Sequence, residues 1–334
     1  MSASVRIGIV GLGRLGRRHA ENLALRVPGA SLVAAASPIA EERAWAEATL
    51  PGIKTYPGLS ELLAHPGLDA VWLVTPTSLH ADQLILALDA GKHVFCEKPL
   101  ALETADCDRV VAVAAKRPQQ LVMIGFMRRF DPAYAEAKRL IAEGELGDVF
   151  SISCRSEDPV DPDGFFVRFA PTSGGIFLDC CIHDIDLVRW MLDGAEVSSV
   201  SAAGSRVMYP ALGDCGDVDN GFATVTFKGG QVATFHVSRT SHRGYEATMT
   251  VSGTRGGLDI GRNVPRRPVT LETGGKRQIE GQVDFFERFG DAFLHEARAF
   301  VEAVRTGGPT PSSIADAREA TRLACAMREA LRVG

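Results

Sequence analysis

Apolar and polar positions along the chain follow two rhythms, one in each half. The run VRIGIV (5–10) is β-branched and apolar, the pattern of a strand covered on both sides in a parallel sheet. RLGRRHAENLALRV (14–27) has helical spacing, with Leu15, His19, Leu23 and Val27 close to one face. A second strand is predicted at SLVAAAS (31–37), followed by a helix over AEERAWAEATL. DAVWLVTP (69–76) and HVFCEKP (93–99) read as strands on either side of a helix over SLHADQLILALDAG (78–91) that ends at glycine. TADCDRVVAVAAKR reads as a helix and LVMIGF as a strand. Strand and helix thus alternate through residue 126, which predicts an open, mostly parallel, doubly wound α/β sheet of the Rossmann kind.

The rhythm then changes. PAYAEAKRLIAEGELG reads as a helix closed by glycine turns, VFSISCRS alternates like a half-buried strand, and GGIFLDCCIHDIDLVRWMLDG reads as helical. VSSVSAAGSR, GFATVTFKGGQVATFHVSRTS and YEATMTVSGTRGGLDIG look like antiparallel strands on short turns, KGGQ being a hairpin signal. We expect a Rossmann domain over 1–126 and a second α/β domain over 127–334 with a large open, mostly antiparallel sheet. One face of that sheet is expected to lack a helical cover and to pack against a partner subunit. A final helix, DAREATRLACAMREALR within about 314–332, is expected to pack back on the first domain.

Composition narrows the function classes. The 334 residues suffice for about two domains; 46% are apolar and 23% charged, an ordinary globular balance. The net charge of −5 gives no attraction to nucleic acid or anionic membrane. The basic clusters Arg128–Arg129 and Arg262–Arg267 read as solvated surface or a single anion contact. Seven cysteines include no C-x-x-C pair, so no zinc knuckle is expected and the thiols suit a reducing compartment. The opening MSASVRIGIV predicts no leader, and no apolar run of about 18 residues predicts a membrane span. The expected location is the cytoplasm.

Chemistry enters at GLGRLG. Gly11 permits a tight turn, Gly13 lets a pyrophosphate approach the backbone, and Gly16 lets helix pack on strand; Arg14 and Leu15 sit between them. The free N–H groups and positive dipole end of the helix then face the phosphates. At the end of the second strand, where an NAD site usually has a carboxylate for the ribose, stand Ser37 and Pro38, with Arg43 nearby. NAD and NADP are both chemically possible, and Ser37 and Arg43 argue for NADP.

Lys98 closes another strand at its carboxyl end, the edge where open α/β sheets bind ligands. Asp179 and His183 are four apart and share one face of a helix. A carboxylate beside an imidazole orients the ring and raises its pKa, equipping His183 to take a proton from an alcohol. Asp186 is either its further partner or a helix-surface charge. Two such ligands with no clear third do not make a metal site.

In order, GLGRLGRRHAENL, TPTSLHADQ, FCEKPLA, GFMRRFDPAY, SGGIFLDCCIHDIDLVRWML and GDVDNGFATVTF resemble the Gfo/Idh/MocA oxidoreductases, and among them the inositol 2-dehydrogenases, over about residues 5–330. The resemblance implies a Rossmann domain, an open-sheet domain through which copies join as dimers or tetramers, and NAD(P)-dependent oxidation of sugars or cyclitols, with NAD slightly favoured. It implies Lys98 as a bridge between cofactor and substrate, and Asp179 and His183 as the acid/base pair. Thr75, Pro76, Thr77, His80 and Glu97 would line the cofactor, and Arg128, Asp158 and Tyr245 the substrate. Two positions depart from the pattern: Ser37 replaces an aspartate, and Glu157 stands where an arginine is common. Aldose or keto-sugar oxidation, a non-redox NAD-using glycosidase and a dinucleotide sensor are the alternatives.

Overall fold

The computed structural model describes residues 4–262, 264–273 and 276–333. They fall into two compact units, one within the limits Met1–Met127 and Asp291–Thr321, the other within Arg128–Gly290 and Arg322–Gly334. The second chain crossing falls in a long helix that the sequence pattern had not singled out.

The first unit opens with β1 (Val5–Val10), α1 (Arg14–Leu25), β2 (Ala30–Ala36), α2 (Ala40–Thr49), β3 (Lys54–Tyr56) and α3 (Leu59–Leu63). It continues with β4 (Ala70–Leu73), α4 (Thr77–Asp89), β5 (His93–Glu97), α5 (Thr104–Ala114) and β6 (Val122–Gly125). The strands lie parallel in the order β3-β2-β1-β4-β5-β6, so the chain reverses its direction of progress between β1 and β4. That reversal opens a crevice at the carboxyl ends of the two strands. Ile7 and Ile9 of β1 and every residue of β4 are buried, as expected for strands covered on both faces. Trp72 stacks on Phe95 at 3.7 Å and takes the edge of Phe300 at 5.5 Å. Such aromatic pairs add about 0.5–1.5 kcal/mol each beyond the area they bury. β3 and α3 were not anticipated; three and five residues are too few to show a period.

The second unit contains α6 (Pro132–Ala142), β7 (Val149–Pro159), α7 (Phe165–Ser173), α8 (Ile176–Asp179), α9 (Ile182–Met191) and β8 (Val197–Ser205). β9 (Asn220–Phe227), β10 (Val232–Ser241), β11 (Glu246–Gly253), β12 (Gly257–Ile260), β13 (Pro265–Thr273) and β14 (Lys276–Gly281) follow. Seven strands make one sheet in the order β12-β11-β7-β10-β9-β8-β15, where β15 is Leu331–Val333. Its pairs are antiparallel except β10 with β7 and β15 with β8, so the sheet is mixed and mostly antiparallel, as expected. Alternation in β9 and β10 sends Val225, Phe227, Phe235 and Val237 inward. On the other face Phe222 stacks on His236 at 4.4 Å while 49% exposed.

Two helices carry the chain between the units: α10 (Phe285–Thr306), with non-helical backbone at Phe289, and α11 (Ile314–Ala330). Just before α11, the Ser312 hydroxyl donates to the Ile124 carbonyl of β6 (2.5 Å), and Arg318 pairs with Asp108 of α5. The predicted single helix over residues 174–194 is instead two. Gly174 and Gly175 stand outside it with φ of 81° and 87°, and α8 ends before Cys180 and Cys181. No helix among the described residues is long and apolar enough to cross a membrane, and none of the seven cysteines is joined in a disulfide among those residues.

Candidate active site

In the first unit the glycines occupy the three positions that a dinucleotide turn requires. Gly11 leaves β1 with φ of 92°, and a Cβ there would lie 2.3 Å from the Val74 carbonyl oxygen. A Cβ on Gly16 would lie 2.0 Å from the Gly11 carbonyl oxygen, so α1 can pack this close to the turn only without a side chain. Gly13 differs: a Cβ there meets only Glu42 Oε1, at 3.9 Å. It is the N-cap of α1, with no side chain bonded across the helix end. The turn therefore presents bare backbone to an open cleft lined by Gly13, Arg14, Arg17, Arg18, Glu21 and Glu42. Leu15 follows Arg14 in the first turn of α1.

At the end of β2, Ser37 is buried and its hydroxyl donates to Glu42 Oε2 at 2.5 Å. Arg43 turns back, its Nη1 donating to the Ser37 carbonyl at 2.7 Å. After β4, the Thr75 hydroxyl donates to Gln83 (2.6 Å), Pro76 caps α4 and Thr77 begins it. His80 on α4 is buried, with Nδ1 2.7 Å from the Pro99 carbonyl oxygen and Nε2 2.8 Å from that of Thr75. Burial pulls its pKa below the ordinary histidine value, against the pull of those two carbonyls. The ring thus ties the loop after β4 to the loop after β5, which carries Lys98.

Behind half-buried Lys98 lies a polar knot in the core. Glu97 is buried; its Oε2 accepts from the Lys98 backbone N–H (3.1 Å) and its Oε1 meets His19 Nε2 at 2.9 Å. Glu97 therefore braces the lysine from the core side. Glu296, fully buried, is the third member; its nearest ligand atom and those of His19 and Glu97 lie within 4.8 Å of one another. Burial first, and then the charge of Glu97, push the Glu296 carboxyl well above its ordinary range. Sequence reading placed His19 on an apolar helix face and missed its two acidic neighbours.

In the second unit the basic pair Arg128–Arg129 is not solvated surface: each arginine is paired with a carboxylate, which leaves the other reading, an anion contact. Both are buried. Arg128 Nη1 donates to Asp184 (2.7 Å) and Ser156 (3.0 Å), and its Nη2 to the Tyr245 hydroxyl (3.0 Å). Arg129 makes a two-pronged pair with Asp186 at 2.8 and 2.6 Å. Asp186 is thus no helix-surface charge, because a buried guanidinium left without a carboxylate would cost several kcal/mol. Burial and then the opposing pull of Arg128 leave the Asp184 carboxyl above its ordinary pKa. Burial also raises the Tyr245 phenol to about 12, with Arg128 opposing and Asp158 reinforcing. Asp158 accepts from the Cys180 thiol at 3.6 Å. The candidates Arg128, Asp158 and Tyr245 are therefore joined in one region.

Asp179 and His183 do not share one helix: Asp179 ends α8, and buried His183 lies in the first turn of α9. Both ends of α8 are held from other segments. Asp217 Oδ1 accepts from the Ile176 N–H (2.8 Å) at the start of α8. Arg239, fully buried on β10, donates to Asp217 at 2.6 Å and to Asp179 at 3.3 Å. Burial would lower the guanidinium's pKa, but Cys180, Asp179 and Asp217 hold it above its ordinary value. Neither Arg239 nor Asp217 was singled out from sequence; 60 and 22 residues separate Arg239 from its two partners. Glu157, the departure from the inositol pattern, is buried on β7 and paired with Arg155 at 2.5 Å. In the other basic cluster Arg262 pairs with Asp259, and Arg266 with Glu280 and Glu287; the Arg267 side chain lies outside the described residues.

Comparison with known proteins agrees with this layout. Residues 5–126 match the oxidoreductase family with an NAD-binding Rossmann fold, and residues 134–259 match the GFO/IDH/MocA C-terminal domain. The scyllo-inositol 2-dehydrogenase (NAD(+)) of Bacillus subtilis is 40% identical over 92% of this chain and 88% of its own. The myo-inositol 2-dehydrogenase of Thermotoga maritima is 35% identical over 98% and 96%. The crystal structure of scyllo-inositol dehydrogenase from Lactobacillus casei, with bound NAD(H) and scyllo-inositol, superposes with a TM-score of 0.93 at 36% identity, covering 98% of this chain and 97% of that one. With both halves matched and the glycine cradle in place, the chain belongs to the GFO/IDH/MocA family of NAD-binding oxidoreductases.

Proposed function

We propose that this chain is an NAD-dependent cyclitol dehydrogenase, oxidising one secondary alcohol of an inositol-type polyol to a ketone. The observation that carries the substrate class is the buried polar network around Arg128. A polyol without charge binds by hydrogen bonds to many hydroxyls, and each unmatched hydroxyl strands a buried polar group. Arg128, Asp158, Tyr245, Asp179 and His183 supply donors and acceptors for that purpose, and the inositol dehydrogenases among the relatives support the reading.

The cradle fits the cofactor: Gly11 and Gly16 have no room for a side chain, and Gly13 leaves the end of α1 uncovered. Gly11, Gly13, Arg14, Leu15 and Gly16 would hold the pyrophosphate, Ser37 and Arg43 lie at the ribose side, and Thr75, Pro76, Thr77 and His80 form the loop beside them. NAD supplies the hydride acceptor. Lys98, braced by Glu97, hydrogen-bonds the reacting hydroxyl and steadies it. His183 takes the proton of the hydroxyl being oxidised, and bound NAD would accept the pair of electrons that leaves with the carbinol hydrogen. Asp179, held by Arg239, fixes the polar frame in which His183 works. We also assign the uncovered face of the large sheet, with Phe222 and His236, to self-association, and the domain limits to 1–126 and 127–334 in functional terms.

The test is absorbance of reduced nicotinamide with myo-, scyllo- and D-chiro-inositol and with aldoses. Lys98→Ala and His183→Ala are each expected to lower kcat by about 100-fold or more while the Kd for NAD holds. Unchanged turnover in both would refute the assignment, and preference for aldoses over every inositol would refute the substrate class.

A further inference from the structure

We infer that Glu42, not a residue at the end of β2, is the carboxylate that recognises the adenosine ribose and makes this chain select NAD over NADP. The inference rests on the NAD-binding reading of the first unit. The usual place for that carboxylate holds Ser37, whose side chain is buried. Its hydroxyl donates to Glu42 Oε2 at 2.5 Å and accepts from the Ile39 N–H at 3.1 Å. A serine so bonded serves as a positioning residue: it fixes the carboxylate of the first turn of α2. The other oxygen, Oε1, faces the glycine turn, 3.9 Å from where a Gly13 Cβ would stand. Glu42 also lines the same cleft as Gly13 and Arg14. The chain thus delivers a carboxylate to the mouth of the phosphate turn from a helix, five residues later than the usual strand-end position.

The consequence is selectivity by charge. A carboxylate accepts from a ribose diol and repels a 2′-phosphate. Arg14, Arg17 and Arg18 line the cleft with it and would otherwise draw that phosphate. Arg17 is partly committed, its Nε donating to the Leu12 carbonyl (3.1 Å) and its guanidinium lying 4.8 Å over Trp45. Arg43, which suggested NADP from sequence, donates from Nη1 to the Ser37 carbonyl and so buttresses the turn that holds Glu42.

Isothermal titration of NAD and NADP into the substrate-free protein tests this without turnover. Glu42→Gln keeps an acceptor for Ser37 but removes the charge. It is expected to tighten NADP by about tenfold or more and to weaken NAD several-fold, with Tm unchanged. Ser37→Ala, which frees the carboxylate to wander, is expected to move the NAD/NADP ratio the same way by a smaller factor. A ratio within twofold of the parent in Glu42→Gln would overturn the proposal, as would an equal loss of both dinucleotides. Parent protein that binds neither would overturn the NAD-binding reading instead.

Discussion

Adding one methyl group at Gly13 and at Gly16 separates binding from folding, because the two glycines are present for different reasons. At Gly16 the new carbon would stand 2.0 Å from the Gly11 carbonyl oxygen. Ordinary contact begins at 3.4 Å, so α1 and the turn must part by 3.4 − 2.0 = 1.4 Å. That obstacle is backbone and has no rotamer to yield. Overpacking of this kind costs about 1–3 kcal/mol, and more where the backbone resists. At Gly13 the new carbon meets only a carboxylate oxygen at 3.9 Å, and φ of −68° with ψ of −167° suits alanine. The folding cost reduces to the weaker N-cap, below about 1 kcal/mol. The methyl does, however, occupy the backbone surface that a pyrophosphate must approach. Gly13→Ala is therefore expected to keep its urea midpoint close to the parent's and to bind NAD about 10–100-fold more weakly, equivalent to about 1.4–2.8 kcal/mol. Gly16→Ala is expected to lose stability first. Urea titration and NADH fluorescence titration measure both. Unaltered NAD affinity in Gly13→Ala, or equal destabilisation in the two variants, would refute the division of roles.

Two further outcomes follow from the buried groups. Tyr245→Phe removes the hydroxyl that accepts from Arg128 Nη2 while Nη1 keeps Asp184 and Ser156; about 1–2 kcal/mol should be lost by urea unfolding, with KM raised for the polyol, and an unmoved midpoint would contradict that bond. Glu296 has its carboxyl pKa raised by burial and by Glu97, so the stability it contributes is complete below the unfolded value of about 4.3 and is lost as pH climbs toward the folded one. Glu296→Gln does not titrate, so its Tm relative to the parent should rise between pH 5 and pH 8; a difference constant over that range would show the carboxyl to be ionised in the fold.

The parallel sheet was legible because strands buried on both sides must be continuous apolar runs, as VRIGIV and AVWL are. The glycine turn was legible because each glycine answers a local steric demand. What escaped notice depends on distance along the chain. Arg128 and Arg129 look like surface charges until Asp184 and Asp186, 56 and 57 residues away, are folded against them. The break between α8 and α9 is unmarked by proline, and the bonds that hold the start of α8 at Ile176 and its end at Asp179 come from other segments. α7 was missed because Pro171 lies inside it and glycines bound it. Ser37 was read as a missing acid because its hydroxyl partner, Glu42, sits one helical turn onward and faces back only once α2 has formed.

A four-residue helix such as α8 has a single turn and cannot hold its own shape in water. Its two ends answer to the same cation, since Arg239 grips Asp217 at the start and Asp179 at the finish. The stretch behaves like a bracket bolted to one rib of the large sheet. Drift in the packing of β10 would therefore tilt the bracket and re-aim the polar groups it carries, with no change in any of those groups. Divergence in what such an enzyme accepts can begin with residues that never meet the molecule being oxidised.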